Sequence, residues 1–189
     1  MVLPQEPPPE PLPQAAIALG SNLGDCRSTL EQALGLLNQS PGVRLLCRSS
    51  WYRTAPIGPV QPDYLNGCAL LEVSISAAAL LDLLLATENH FGRVRGERWG
   101  PRTLDLDLIL YGQLSLHTAE LQLPHPRMGE RAFVLTPLAE IAPNWIHPGS
   151  GRTVQDLARE LAGQGVLERL GESKAAPGSI DKWHGKLTH

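Results

Sequence analysis

From Ala15 to Tyr111 the hydrophobic period of the chain changes in a fixed order, and that order restricts the fold more than any other property of the sequence. Ala15 to Leu19 is a short apolar run closed by Gly20-Ser21-Asn22, which reads as a buried strand. Leu30, Ala33, Leu34 and Leu37 then recur at helical spacing, with Ser28 and Glu31 as an expected capping box and Pro41-Gly42 as the stop. Val43 to Trp51 predicts a second strand and Leu65 to Val73 a third. Between them TAPIGPVQPD holds three prolines and a glycine in ten residues, a stiff loop suited to shaping a pocket. Ser76 is placed to cap a helix from Ala77 to about Phe91, Gly92 to stop it, and a fourth strand runs from Thr103 to Tyr111. The order β-α-β-β-α-β predicts an α+β fold of the ferredoxin-like kind, an antiparallel sheet with helices on one face. Further helices, Phe133 to Ile141 and Val154 to Leu161 with Thr153 as cap, are expected to close the core.

Residues 1–13 are proline-rich and residues 172–189 lack a clear period, so both read as tails around one folded unit, 14–171. Trp183 is the tail residue best suited to dock on the body. A length of 189 residues with 42% apolar content fits a single globular domain. The longest apolar stretches, such as Ala77 to Leu85, are broken by Asp82 and fall short of the roughly 18 residues a membrane span requires. The first residues carry acid and proline where a signal peptide carries positive charge and an apolar centre, so a cytoplasmic protein is expected. Cys26, Cys47 and Cys68 form no close pair, which argues against a disulfide framework or a zinc knuckle. A net charge of -3 argues against general nucleic-acid binding. The only lysines are Lys174, Lys182 and Lys186, so any anion site in the body must be built from arginine.

The segment TLDLDLILYG alternates along its strand, which places Leu104, Leu106, Leu108 and Leu110 on one face and Asp105 and Asp107 on the other. Two carboxylates about 6 to 7 Å apart can reach a pair of divalent ions from one wall. Magnesium takes hard oxygen ligands and completes its shell with water and substrate phosphate, so two aspartates without a larger acidic cage suit a magnesium–nucleotide site. Taken alone, D-x-D is commoner on a solvated strand face. The loop before it changes the balance: Arg93, Arg95, Arg98 and Arg102 fall within ten residues, in a segment that also holds Gly92, Gly96 and Gly100. Guanidinium forks match phosphate, and the glycines let the segment close over a ligand. His125, Arg127 and Arg131 form a second cationic group. The glycine-rich LGSNLGD follows a strand and precedes a helix, but it has neither the P-loop lysine nor G-x-G-x-x-G spacing, and a tight turn is its better reading.

Four segments together resemble a known family, the 6-hydroxymethyl-7,8-dihydropterin pyrophosphokinases of folate biosynthesis. They are ALGSNLGD at 18–25, QPDYLN at 61–66, GRVRGERWGPRTLDLDLILYG at 92–112 and LPHPRMGERAFVLTPLAEIAP at 123–143. The resemblance implies a ferredoxin-like fold and transfer of the β,γ-pyrophosphoryl unit of ATP to the pterin hydroxymethyl group, releasing AMP. It implies that Asp105 and Asp107 ligate two magnesium ions. Glu88, Arg93, Arg95, Arg98, Arg102, Ile109, His125 and Arg131 are implied around the nucleotide, Arg98 and Arg102 acting in catalysis. Thr54, Ala55, Ile57, Tyr64, Asn66, Trp99 and Phe133 are implied around the pterin. Aromatic rings at 64 and 133 suit a flat heterocycle, and the Asn66 amide offers a donor and an acceptor to its amide-like edge. Two positions depart from the family pattern: Ala55 stands where some members carry proline, and Pro126 where some carry tyrosine.

A nucleotidyltransferase, which also uses paired aspartates and magnesium, remains as an alternative, as does an RNA-binding module on a sheet of the same order. The second lacks an aromatic RNP pattern in its strands. The partners expected are therefore ATP and a small pterin alcohol, without nucleic acid or membrane, acting on a monomer.

Overall fold

The first strand, β1 (Gln14–Ser21), is buried along nearly its whole length because its alternate side chains enter two cores, Ile17 and Leu19 on one face of the sheet and Ala16 and Ala18 on the other. A computed structural model describes residues 11–93, 100–172 and 174–175. In it β1 lies antiparallel between β4 (Tyr64–Val73) and β5 (Asp105–Tyr111). β4 continues to β2 (Val43–Arg48) through its second half and to β3 (Trp51–Thr54) through its first. The predicted antiparallel α+β arrangement is what forms.

Helix α1 (Cys26–Gln39) and helix α2 (Ala77–His90) cover one face of the sheet. Leu30, Leu34, Leu37, Leu80 and Leu84 pack there against Ile17, Leu19, Leu71 and Leu106. Helices α3 (Ala132–Ile141) and α4 (Val154–Glu160) cover the other face, with Val134, Leu135, Leu138 and Leu157 against Ala16, Leu70 and Ile109. The one-face expectation therefore holds for the first two helices only, because α3 and α4 close a second core. Between β5 and α3 lie the short pair β6 (Leu116–His117) and β7 (Gln122–Leu123) and a 3-10 turn at Met128–Glu130.

Several local expectations are corrected. The N-cap of α1 is Asp25, whose Oδ1 accepts the Ser28 N–H at 3.0 Å, in place of a Ser28–Glu31 box. Glu31 instead accepts from Arg48 Nη2 at 2.7 Å and from Trp51 Nε1 at 3.2 Å. The strand expected from Val43 to Trp51 breaks at Ser49-Ser50. There the Ser49 hydroxyl accepts the Cys68 N–H at 3.0 Å and donates to the Ser50 carbonyl at 2.7 Å, replacing ladder bonds. Leu110 leaves the leucine face of β5, because a register shift opposite Ala16/Ile17 turns it into the α3 core beside Ile109.

Two strands near the C-terminus carry no strong sequence signal. β8 (Val166–Leu170) pairs with β3, and β9 (Lys174–Ala175) pairs with Cys47 and Arg48 of β2. Arg48, 3% exposed, donates to the carbonyls of Ser49 at 2.7 Å and Glu172 at 3.2 Å, so a buried guanidinium fastens the start of the segment assigned to the tail.

Gly67 on β4 lies under the fully buried Trp51: a Cβ there would meet Trp51 Cε3 at 2.6 Å. Gly67→Ala is expected to cost about 1 to 3 kcal/mol through overpacking, because the indole has nowhere to move. Urea unfolding followed by tryptophan fluorescence checks this.

Candidate active site

Alternation along β5 sets Asp105 and Asp107 on the same side of the sheet as Ala18 of β1, partly buried in the lining of a cavity of about 280 Å3. Gly20, Thr54, Ala55, Ile57, Tyr64, Asn66, Arg102, Arg127, Arg131 and Phe133 also line it. The carboxylates thus form one wall and the predicted pterin residues the other.

Each aspartate is met by arginine. Arg102 Nη1 donates to Asp105 Oδ1 at 2.8 Å, Arg93 Nη2 lies 2.7 Å from the same oxygen, and Arg131 Nη1 donates to Asp107 Oδ2 at 2.8 Å. His125 Nε2 stands 4.0 Å from Asp107 Oδ2. Burial lowers the His125 pKa against the opposing pull of Asp107, and Arg131 and Arg127 add to the lowering. Its backbone N–H donates to the Ile109 carbonyl at 2.9 Å, which docks the His125 segment on β5.

Glu88 is 1% exposed beneath β5. Its Oε1 accepts the Leu106 N–H at 2.7 Å, and its Oε2 pairs with Arg93 Nη1. Burial raises its pKa, opposed by the Arg93 hydrogen bond and the Leu106 N–H. Glu88 therefore acts on the cavity through Arg93. Ile109 is fully buried in the α3 core and meets the His125 segment through its carbonyl. Glu88, Arg93, Ile109 and His125 stand behind the cavity lining. Arg95, Arg98 and Trp99 lie outside the described residues.

On the opposite wall Asn66 is 7% exposed, and its Nδ2 donates to Thr54 Oγ1 at 2.6 Å, which fixes the amide plane. The Tyr64 hydroxyl donates to the Gly100 carbonyl at 3.2 Å, tying the aromatic wall to the end of the arginine loop. Phe133, in the first turn of α3, carries the Arg131 guanidinium 5.6 Å from its ring centre.

Sequence reasoning missed two residues of this frame. Asn22 donates to Gln61 Oε1 at 2.9 Å and to the Pro62 carbonyl at 3.1 Å, while its Oδ1 accepts the Arg102 N–H at 2.7 Å. One amide thus braces the proline-rich loop and the arginine loop together. Gly20 is required because a Cβ there would fall 2.6 Å from Asn66 Oδ1. Both belong to the turn-like GSN, whose polar residues mark a loop but not what it touches.

The donor set suits magnesium. Both aspartates offer hard oxygens, and the bonds above use one oxygen of each. Among the described residues no three His, Cys, Asp or Glu side chains converge as a closed metal cage would need. A metal held here would have to take the rest of its shell from water and phosphate.

A family model described as 7,8-dihydro-6-hydroxymethylpterin-pyrophosphokinase matches residues 16–143. The chain belongs to that family. It is similar to the 2-amino-4-hydroxy-6-hydroxymethyldihydropteridine pyrophosphokinase of a Synechocystis species, 51% identical over 78% of this chain and 75% of the relative. It is also similar to the Pseudomonas aeruginosa protein of that name, 44% identical over 82% of this chain and 94% of the relative. In fold it resembles wild-type Plasmodium falciparum HPPK-DHPS, with a TM-score of 0.64, 12% identity and 79% of this chain covered. The match spans 44% of that longer chain, less than half its length. The expected pyrophosphokinase resemblance and ferredoxin-like α+β class are both borne out.

Glu88→Ala is expected to lower stability by about 3 kcal/mol, because Leu106 N–H and Arg93 lose their buried acceptor. Glu88→Gln keeps an acceptor for Leu106 and is expected to lose less. Urea denaturation of the two variants beside the wild type checks the order.

Proposed function

We propose that this cavity is where the chain moves the β,γ-pyrophosphoryl unit of ATP onto the hydroxymethyl group of 6-hydroxymethyl-7,8-dihydropterin, with two magnesium ions held by Asp105 and Asp107. The pyrophosphokinase reaction is that of the family to which the chain belongs. The observation that carries the assignment of residues is the two-walled cavity: paired carboxylates with Arg102 and Arg131 on one side, Tyr64, Asn66 and Phe133 on the other.

Pyrophosphoryl transfer asks a protein for in-line positioning and charge neutralisation more than for covalent chemistry. Asp105 and Asp107 would hold magnesium, which would supply charge neutralisation and polarisation at the triphosphate. Arg93, Arg95, Arg98, Arg102, His125 and Arg131 hold the nucleotide and its phosphates, with Arg98 and Arg102 acting on charge that develops in the transition state. Glu88 orients Arg93, and Ile109 carries the His125 segment. Tyr64, Trp99 and Phe133 hold the pterin ring, Asn66 reads its amide-like edge, and Thr54, Ala55 and Ile57 form its wall.

On this reading the chain is a cytoplasmic monomer whose partners are small molecules and not nucleic acid, in keeping with its net charge of -3. No helix among the described residues is long and apolar enough to cross a membrane. The domain 14–171 contains every residue of the assigned site.

Asp105→Ala and Asp107→Ala are each expected to lower turnover at least about a thousandfold with an unchanged circular dichroism spectrum, since each removes polar groups at a cavity and not core. Bond choice is tested with magnesium, the pterin and ATP labelled at the β-phosphate. The label is expected on the pterin with AMP formed in equal amount. ADP as product, or an adenylylated pterin with free pyrophosphate, would overturn the reading.

A further inference from the structure

A second polar cluster sits at the far end of α3 from the cavity. Glu140, in the last turn of that helix, receives four hydrogen bonds on two oxygens. Oε2 accepts from the Ser50 N–H and the Tyr52 hydroxyl, both at 2.9 Å. Oε1 accepts from the Ser50 hydroxyl at 2.8 Å and from Arg169 Nη2 at 2.6 Å. Ser50 Oγ also lies 3.0 Å from the Gly171 carbonyl, but a hydroxyl has one proton to give. Arg169 Nε donates to that same Oγ at 2.9 Å. Ser50 is fully buried and Tyr52 is 6% exposed. Burial alone would raise the Glu140 pKa, yet the Ser50 and Tyr52 hydrogen bonds and Arg169 bring it below the usual carboxylate range.

The three anchored elements lead to the same wall of the cavity. Tyr52 stands opposite Asn66 in the β3–β4 register, and β3 ends on Thr54, which fixes the Asn66 amide. The next residue, Ala55, gives its N–H to the Gly165 carbonyl at 3.0 Å, at the entry to β8. Arg169 on β8 pairs with Tyr52. α3 carries Phe133 seven residues before Glu140, about 10 Å along the helix. One carboxylate therefore links α3, which carries Phe133, to the β3–β4 pair, which carries Thr54 and Asn66.

We infer that Glu140, held by Arg169, is a positioning residue that fixes the width of the pterin slot from outside it, without touching substrate. This rests on the pocket reading above. On the phosphate side, β5 and Arg93 are held instead by Glu88, and the His125 segment by the Ile109 carbonyl. Arg131 caps the start of α3 but is held separately by Asp107, so loss of the Glu140 anchor should be felt by the pterin far more than by the nucleotide.

Binding of 6-hydroxymethyl-7,8-dihydropterin and of magnesium α,β-methylene-ATP is measured by calorimetry on the full chain, the pterin in the presence of saturating analogue. The variants are Glu140→Gln, Arg169→Gln and the pair together. Arg169 is more than half exposed on an edge strand, so its variant tests the idea even if Glu140→Gln folds poorly. Each single variant is expected to weaken pterin binding about tenfold, with nucleotide affinity within about twofold of wild type. The double variant is expected to be no worse than the weaker single, since both remove one linkage. Pterin affinity unchanged while the melting temperature falls, or equal losses for both ligands, would overturn the inference and leave Glu140 a plain brace. Failure of the wild type to bind the pterin would overturn the pocket reading, and this one with it.

Discussion

The hydrogen bond from Leu106 N–H to Glu88 is the contact on which the active face of this protein depends. β5 ends the sheet, paired only with β1 among the described strands, so its outer backbone groups have no ladder partner. An edge strand must satisfy those groups by other means or leave them to water and to stray strands. Here they recruit the cationic segments. The Leu106 N–H takes the carboxylate of a buried glutamate, and that carboxylate orients Arg93 onto Asp105. The Ile109 carbonyl takes the His125 N–H, which brings the segment carrying Arg131 to Asp107. Edge protection and assembly of the anion site are one structural event.

The opposite wall depends on a different economy of backbone groups. β2 and β3 are separated by two buried serines, and the hydroxyl of Ser49 stands in for ladder bonds there. That break lets β4 carry β2 along one half and β3 along the other, so that β3 can lead into the proline-rich loop beside the cavity. Gly67 and Gly20 allow the crowding that results, one under Trp51 and one against Asn66. Neither glycine has positive φ; each is small because another side chain occupies the space where its Cβ would stand.

What was legible in the sequence follows from this division. Elements with a strong period, such as α1, α2 and the aspartate strand, could be read because one face of each is buried against a single layer. The β2–β3 break was not, since Ser49-Ser50 interrupts apolar residues only briefly and the reason for it lies across the sheet at Cys68. β8 was missed because its residues are mostly exposed, and its place rests on pairing with β3 and on Arg169 reaching Glu140. Glu88 was found through family resemblance but its place beneath β5 was not, because a carboxylate on a helix has no sequence mark that tells burial from exposure. The second helical layer was visible as helices and not as a layer, since period gives a buried face but not what it is buried against.

The absence of lysine from the body acquires a physical meaning at the aspartates. Arg102 and Arg131 each meet an aspartate through Nη1, and on the proposed reading the same guanidiniums hold phosphate. A guanidinium carries five N–H donors in a rigid fork, so one edge can keep its carboxylate while another takes a phosphate oxygen. An ammonium is a compact point charge that would have to share three freely turning protons between the two anions without fixing the angle of either. With arginine the carboxylate serves as an orienting partner before the nucleotide arrives, and little of the guanidinium's freedom is left to lose when it does. A two-anion site crossed by arginine is therefore pre-organised for phosphate, whereas the same site built from lysine would have to order its cations at the moment of binding.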